Sequence, residues 1–251
     1  MSDPTADLTA FYEAGYTQPD PERAALLGRW RALGAASKAA HVVELTRRAG
    51  VLATTLVEIG CGDGALLAAL SAAGVATVYD GFELAGPAAA IAAGRGIPGA
   101  RRIEAYDGAR VPAGDGAYDL AVVSHVLEHV PDPAALLAEA ARVARWVLVE
   151  VPLEDNRSAR RPAKVAEARE IGHIQAFSRE AIAGLAAGAG LRIVEQLADP
   201  LPRRHHAFFA TGAAAQVSAT AKWALRSALW HAAPRRAERL FTVHYAALLS
   251  G

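Results

Sequence analysis

Val57-Glu58-Ile59-Gly60-Cys61-Gly62-Asp63-Gly64 is the stretch on which the fold turns. Leu56 to Ile59 are mostly branched and apolar, as a strand buried on both faces requires. Gly60, Gly62 and Gly64 then let the backbone turn tightly and approach a ligand closely, because no Cβ stands in the way. From Ala65 the pattern changes to Leu66, Leu67 and Leu70 in an alanine-rich run, which is helical spacing. A ligand at this turn would face unpaired N–H groups at the start of a helix.

Composition sets the bounds around that turn. A chain of 251 residues suits one α/β domain with additions. The hydrophobic fraction of 53% is ample for a core, whereas aromatics are sparse at 6%. Lys plus Arg and Asp plus Glu both number 26, so the net charge is zero, which argues against a general nucleic-acid binder. A single cysteine excludes an intrachain disulfide, and Cys61, inside the turn, reads as a small residue rather than a reactive thiol. Met1 to Tyr16 lacks a basic region followed by an apolar core, so no signal peptide is expected. No uncharged run reaches the ~20 strongly apolar residues of a membrane span. The expectation is a soluble, cytoplasmic protein. With no internal repeat or low-complexity linker, residues 1–251 read as one domain. It divides into a helical preface (1–50), a core (51–199), a helical insertion or cap (200–239) and a last strand (240–251).

The periodicity predicts helices over 6–15 and 21–49, separated by Pro19 and Pro21, with Asp20 as N-cap of the second. After the glycine turn, strand, helix and strand alternate, which implies a parallel sheet covered on both faces. The strands are expected at Thr77 to Glu83, Ala100 to Ala105, Tyr118 to Val123, Trp146 to Val151 and Leu191 to Leu197, and the last, antiparallel at the sheet edge, at Leu240 to Leu249. Pro133 opens a helix running to about Ala144, and Ser178 caps another over Arg179 to Ala189. Ala219 to Ala232 reads as an amphipathic helix with Trp223, Leu225, Leu229 and Trp230 apolar. It would be a cap over the site first, a dimer surface second and a lipid contact last.

Two readings of the glycine turn compete. Gly60, Gly62 and Ala65 fill the small-residue positions of a dinucleotide fingerprint, with Glu83 about 20 residues on as its ribose acid. The acid Glu58 inside the strand and the third glycine at position 64 point elsewhere. Together they resemble motif I of the class I S-adenosylmethionine (SAM) methyltransferases. Ser124-His125-Val126-Leu127-Glu128-His129-Val130-Pro131-Asp132-Pro133 is similar to the segment after strand four in the group that includes ubiquinone-type O-methyltransferases. The resemblance covers about residues 35 to 197 and implies a Rossmann-like, seven-stranded, mostly parallel sheet with an antiparallel last strand. It adds a helical N-terminal preface and a helical insertion between strands six and seven. It implies SAM as cofactor, lying across Glu58, Gly60, Cys61, Gly62 and Gly64, Glu83 and Leu84, Tyr106, Asp107 and Gly108, and Ser124 and His125. In such proteins a tyrosine of the preface often reaches the methionine carboxylate, a role open to Tyr12 and Tyr16, as is a place in the core.

His125, Glu128 and His129 carry a second signal, because positions i, i+3 and i+4 share a face if this segment is helical. His173, in Gly172-His173-Ile174-Gln175, lies after strand five and can reach the same mouth. The set resembles the Glu-x-x-Glu-His plus later His arrangement of metal-dependent 2′-O-methyltransferases acting on RNA ends and of ubiquinone-pathway O-methyltransferases. That implies a divalent metal on His125, Glu128, His129 and His173, magnesium or manganese ahead of zinc. His125 stands where that arrangement has its first glutamate, and imidazole suits softer transition metals. The competing readings are a metal-free histidine base and a purely structural role.

The expected function is SAM-dependent O-methylation of a hydroxyl on a small polyhydroxylated acceptor such as a sugar or oligosaccharide, with His125, Glu128, His129 and His173 as the catalytic group. Few aromatics are present to stack a flat ring, and the charged stretch 154–170 offers a polar substrate loop. No nucleic-acid partner is expected, and a homodimer is open. The alternatives are a metal-free enzyme acting on a phenol, catechol or nitrogen, a non-catalytic SAM-binding subunit, and an NAD(P)-dependent oxidoreductase. The last would need a catalytic Tyr-Lys or similar pair, which the chain does not offer.

Overall fold

The computed structural model describes residues 4–251, with side chains from Leu8 onward. Two helices, α1 (Pro4–Tyr16) and α2 (Pro21–Ala49), precede the sheet. Asp20 accepts hydrogen bonds from the Glu22 and Arg23 amides, Pro21 fills the first helical position, and Gly50 closes α2 in the left-handed region. The residues that separate the helices in the sequence thus set their boundary. There follow β1 (Thr55–Ile59), α3 (Ala65–Ala72), β2 (Val78–Glu83), α4 (Gly86–Ala93), β3 (Ala100–Ala105) and β4 (Tyr118–Ser124). The second half comprises α5 (Pro133–Val143), β5 (Ala144–Pro152), α6 (Pro162–Glu170), α7 (Arg179–Gly188), β6 (Arg192–Asp199), α8 (Arg203–His206), α9 (Ala213–Ala232), α10 (Pro234–Leu240) and β7 (His244–Ser250).

The strand order is β3-β2-β1-β4-β5-β7-β6, so the last strand is not at the sheet edge as expected but inserts between β5 and β6, which leaves β6 at the edge. β1 to β5 run parallel, and β7 is antiparallel to both β5 and β6. Alternation along the central strands divides the core. Val57, Ile59, Ala121, Val123, Val147 and Val149 pack towards α5 and α7, while Leu56, Leu120, Val122 and Leu148 pack towards α2 and α3. Wholly buried leucines such as Leu56 and Leu120 contribute on the order of 2 kcal/mol each. Among the described residues, no helix is long and apolar enough to cross a membrane.

Three expectations are revised. The last strand begins at His244, not Leu240, because Pro234 starts a further helical turn that runs to Leu240. The charged stretch 154–170 holds a helix, α6, whose nine residues include none that is buried. In α9, Leu225 is 73% exposed, whereas the Arg226 guanidinium lies 5.0 Å over the Phe241 ring. Each helical residue rotates by about 100°, which turns position 225 away from the face shared by 223, 226, 229 and 230.

Candidate functional site

The strand order reverses between β1 and β4, and a cleft opens there at the carboxyl ends of the strands, the usual ligand position in an open α/β sheet. Gly62 has φ 54, and a Cβ there would lie 2.7 Å from the Tyr16 hydroxyl, so α1 covers the glycine turn directly. A Cβ at Gly60 would lie 2.5 Å from a Val126 methyl. Asp63 anchors the turn through ion pairs to Arg31 of α2 at 2.9 Å and Arg95 at 2.8 Å. Cys61 is buried, and burial pushes its thiol well up.

Two carboxylates border the turn. Glu83, at the end of β2, accepts from the Gly62 amide at 2.8 Å and the Ala85 amide at 3.0 Å. Burial nevertheless raises its pKa. Glu58 is buried with Oε2 lacking any hydrogen-bond partner, and burial lifts its carboxyl well above the ordinary range. Asp107 accepts from the Ala109 and Arg110 amides as a turn former and is exposed.

Two cavities meet at Gly60, Gly62, Tyr16 and His125. One, of about 430 Å³, is lined by Tyr12, Glu83, Leu84, Tyr106, Asp107 and His129 among others. The other, of about 420 Å³, is bordered by Arg31, Lys38, Glu58, Ser124, His125 and His173 among others. A nucleoside-sized ligand can fill the first and reach the second.

The segment after β4 does not form the helical face that its spacing suggests. His125 sits in the left-handed region at φ 56, and only Leu127–His129 turns, as a 3₁₀ helix. Glu128, His129 and His173 nevertheless converge, with donor atoms all within 4.8 Å of one another. His129 Nδ1 donates to the Gly172 carbonyl at 3.1 Å, and His173 Nδ1 donates to Glu154 Oε2 at 2.7 Å. These partners engage Nδ1 of each ring, which leaves Nε2 as the nitrogen able to ligate. The loop is pinned because the Ile174 and Gln175 amides donate to the Glu128 carbonyl. Glu128 is wholly buried, and neither carboxylate oxygen has an aligned hydrogen-bond partner. Burial alone would raise its pKa, but the nearby imidazoles of His125 and His129 outweigh that and lower it to about 2. Burial lowers the pKa of His129, keeping it neutral near pH 7. Tyr12 packs edge-on against His129, with ring centroids 5.5 Å apart.

His125 is held elsewhere. Its Nδ1 lies 3.0 Å from Glu128 Oε1, yet its Nε2 faces His244 Nδ1 at 3.1 Å, with Glu150 Oε1 3.8 Å away. Glu150 is wholly buried, and Oε1 also lies 3.2 Å from His41 Nδ1. The other nitrogen of His41 lies 3.2 Å from Asp199 Oδ2. Burial opposes a charged His41, but its hydrogen bonds to Asp199 and Glu150 raise its pKa to about 9. Burial lowers that of His244 to about 4. His41, Glu150, Asp199 and His244 are not singled out by the sequence patterns, because each lies within a helix or strand of sound periodicity. The one signal was Glu150, an acid inside the apolar run Trp146-Val147-Leu148-Val149-Glu150-Val151, as Glu58 is in β1. His205 is buried at the second cavity with Nδ1 unpartnered, and His206 bonds the Pro200 carbonyl.

The chain matches a family profile described as "Methyltransferase domain" over residues 22–196. It is 38% identical over 148 residues to an uncharacterized methyltransferase of Mycobacterium ulcerans, covering 55% of this chain and 52% of that protein. A methyltransferase of Mycobacterium leprae is 36% identical over 151 residues, covering 56% and 51%. The chain thus spans about half the length of the curated relatives it matches. Among solved structures, a putative sarcosine dimethylglycine methyltransferase from Galdieria sulphuraria superposes with a TM-score of 0.60 at 15% identity, covering 85% of each chain. Geranyl diphosphate methyltransferase in complex with SAM gives 0.61 at 15% identity, covering 84% of each. The [4+2]-cyclase SpnF gives 0.59 at 18%, covering 86% of this chain and 80% of that one. At such identities the likeness is one of fold, and a fold shared with a cyclase does not by itself fix a reaction.

Proposed function

Because this chain belongs to the methyltransferase-domain family, with the fold of the class I SAM-dependent enzymes, we propose that it methylates a hydroxyl of a small polyhydroxylated acceptor, such as a sugar, at Glu128, His129 and His173. The residues present fit the cofactor. Glu83 ends β2 where an acid accepts ribose hydroxyls, Leu84 and Tyr106 offer apolar walls for a base, and Glu58 keeps an unpartnered oxygen at the adjoining cavity. SAM, when bound, supplies a methyl group on a sulfonium. The protein's own part is to align the acceptor oxygen with that methyl, exclude water and take a proton from the hydroxyl.

One observation carries the choice of oxygen chemistry: Glu128, His129 and His173 bring donor atoms within 4.8 Å of one another, while His129 Nδ1 is held by the Gly172 carbonyl and His173 Nδ1 by Glu154. This is the donor set and outer shell of a two-histidine, one-carboxylate cation site. A divalent cation there would lower the pKa of an acceptor hydroxyl. The deciding experiment is calorimetric titration of Mg²⁺, Mn²⁺ and Zn²⁺ into protein filled with S-adenosylhomocysteine. Binding lost in His173→Ala, with S-adenosylhomocysteine affinity kept, supports the site and directs the acceptor search to vicinal hydroxyls. No uptake of any of the three ions overturns the cation reading. His129, neutral near pH 7, would then serve as a metal-free base towards a phenol or nitrogen acceptor.

A further inference from the structure

A second group of ligand-type side chains lies on the other side of His125. We propose that His125, Glu150 and His244 form a second divalent-metal site, distinct from the one at Glu128, His129 and His173 and independent of whether that one is filled. Its three donor atoms are His125 Nε2, His244 Nδ1 and Glu150 Oε1, separated by 3.1, 3.5 and 3.8 Å. Ligand atoms at ordinary nitrogen and oxygen distances around one ion sit about 3.0–3.4 Å apart. A contraction of the two longer edges, both of which end on Glu150 Oε1, therefore suffices.

The topology explains how residues so far apart in sequence meet. β5 and β7 pair with Glu150 opposite Ala246 and Pro152 opposite His244. Glu150 and His244 are thus diagonal neighbours on one face. His125 comes from the end of the adjacent β4, and its amide donates to the Glu150 carbonyl at 2.8 Å. Its positive φ is uncommon for a residue with a side chain, costing about 1 kcal/mol, and the turn it makes brings the imidazole to the other two donors.

An outer shell is also present. His125 Nδ1 lies 3.0 Å from Glu128 Oε1, a carboxylate behind a ligand histidine. Glu150 is backed by His41, which is itself tied to Asp199, and Ser124 Oγ lies 3.5 Å from Glu150 Oε2. His125 and His244 border the second cavity, so an ion has an open side. Two imidazoles and one carboxylate favour Zn²⁺, Co²⁺ or Mn²⁺ over Mg²⁺. Lys38 lines the same cavity and repels a cation, so this ion is expected to bind more weakly than one at Glu128.

The test is uptake of Co²⁺ by chelator-stripped protein comprising residues 1–251, followed by calorimetry and visible absorption. Two ions are expected for the wild type, one for His244→Gln, one for His173→Ala and none for the double variant. A single ion lost in His173→Ala and kept in His244→Gln overturns the second site and leaves the first standing. A single ion with the reverse pattern upholds the second and overturns the first. One ion lost in both variants means one shared centre and overturns the two-site proposal, and no uptake overturns both sites. Circular dichroism of each variant separates lost ligation from lost fold, and His125→Asn, tolerated at positive φ, serves as an alternative if His244→Gln does not fold.

Discussion

Asp80 and Glu58 are buried acids on neighbouring strands, one register step apart, since Val57 pairs with Asp80 and Glu58 with Gly81. Their surroundings could hardly differ more. Asp80 accepts hydrogen bonds from Arg101 at 3.1 and 2.5 Å and from the Tyr118 hydroxyl at 2.6 Å. Burial would raise its pKa, but these partners lower it. Glu58 keeps an unpartnered oxygen, and burial drives its pKa the other way. A buried carboxylate with all its partners is a strut, and one without them faces the space where a ligand belongs.

The largest effect expected from this contrast is on stability. Asp80→Asn removes the charge that Arg101 and Tyr118 surround, and should cost about 3 kcal/mol in urea unfolding at pH 7. A loss under about 1 kcal/mol would mean that Arg101, more than half exposed, contributes little. Because Asp80 titrates lower when folded, its contribution is present above the unfolded pKa of about 3.9 and is lost as the pH falls below that. The variant should therefore lose its handicap in acid.

Glu58→Gln should behave in the opposite way. A carboxyl whose pKa rises on folding weighs against the native state as the pH climbs above about 4.3 towards its raised value. The glutamine variant escapes that penalty, so at pH 8 it should be more stable than wild type by about 1 kcal/mol. At pH 4 the two should match. Its affinity for SAM should fall about tenfold if Glu58 meets the cationic end of the cofactor. Equal melting curves at both pH values would remove the basis for separating the two acids. A smaller effect belongs to Tyr118→Phe, which takes one hydrogen bond from Asp80 and should cost about 1 kcal/mol, read from the urea midpoint.

The same contrast explains what the sequence made legible. Alternation and glycine spacing depend on neighbours a few residues away, so the strands and the turn at 60–64 could be read directly, whereas the antiparallel last strand was implied by the family resemblance. The grouping of Glu128, His129 and His173 was visible because two of the three adjoin in sequence. His41, Glu150 and His244 were not, since 109 positions separate His41 from Glu150 and only the β4–β5–β7 arrangement joins the group. Their local patterns are those of ordinary helix and strand. The failed expectation at His125 has the same origin: its backbone, tied to Glu150, leaves the helical region and turns Nε2 towards His244, although Nδ1 still meets Glu128.

The smallest effect tests Glu58 without any substitution. Burial holds the pKa of this carboxyl well above the ordinary range, and Lys38 is the chief opposing influence. A cation placed beside it favours the ionised form, so the group should give up its proton when a positively charged ligand arrives. SAM carries the sulfonium charge that S-adenosylhomocysteine lacks. Calorimetric titration in buffers of different ionisation enthalpy should therefore show proton release, less than one proton per chain, with SAM and less with the homocysteine. In Glu58→Gln the two ligands should give the same buffer dependence. Identical release from wild type with both would show that the sulfonium does not act on Glu58, and the acid would then have to be read as a partner of the amino group that both ligands share.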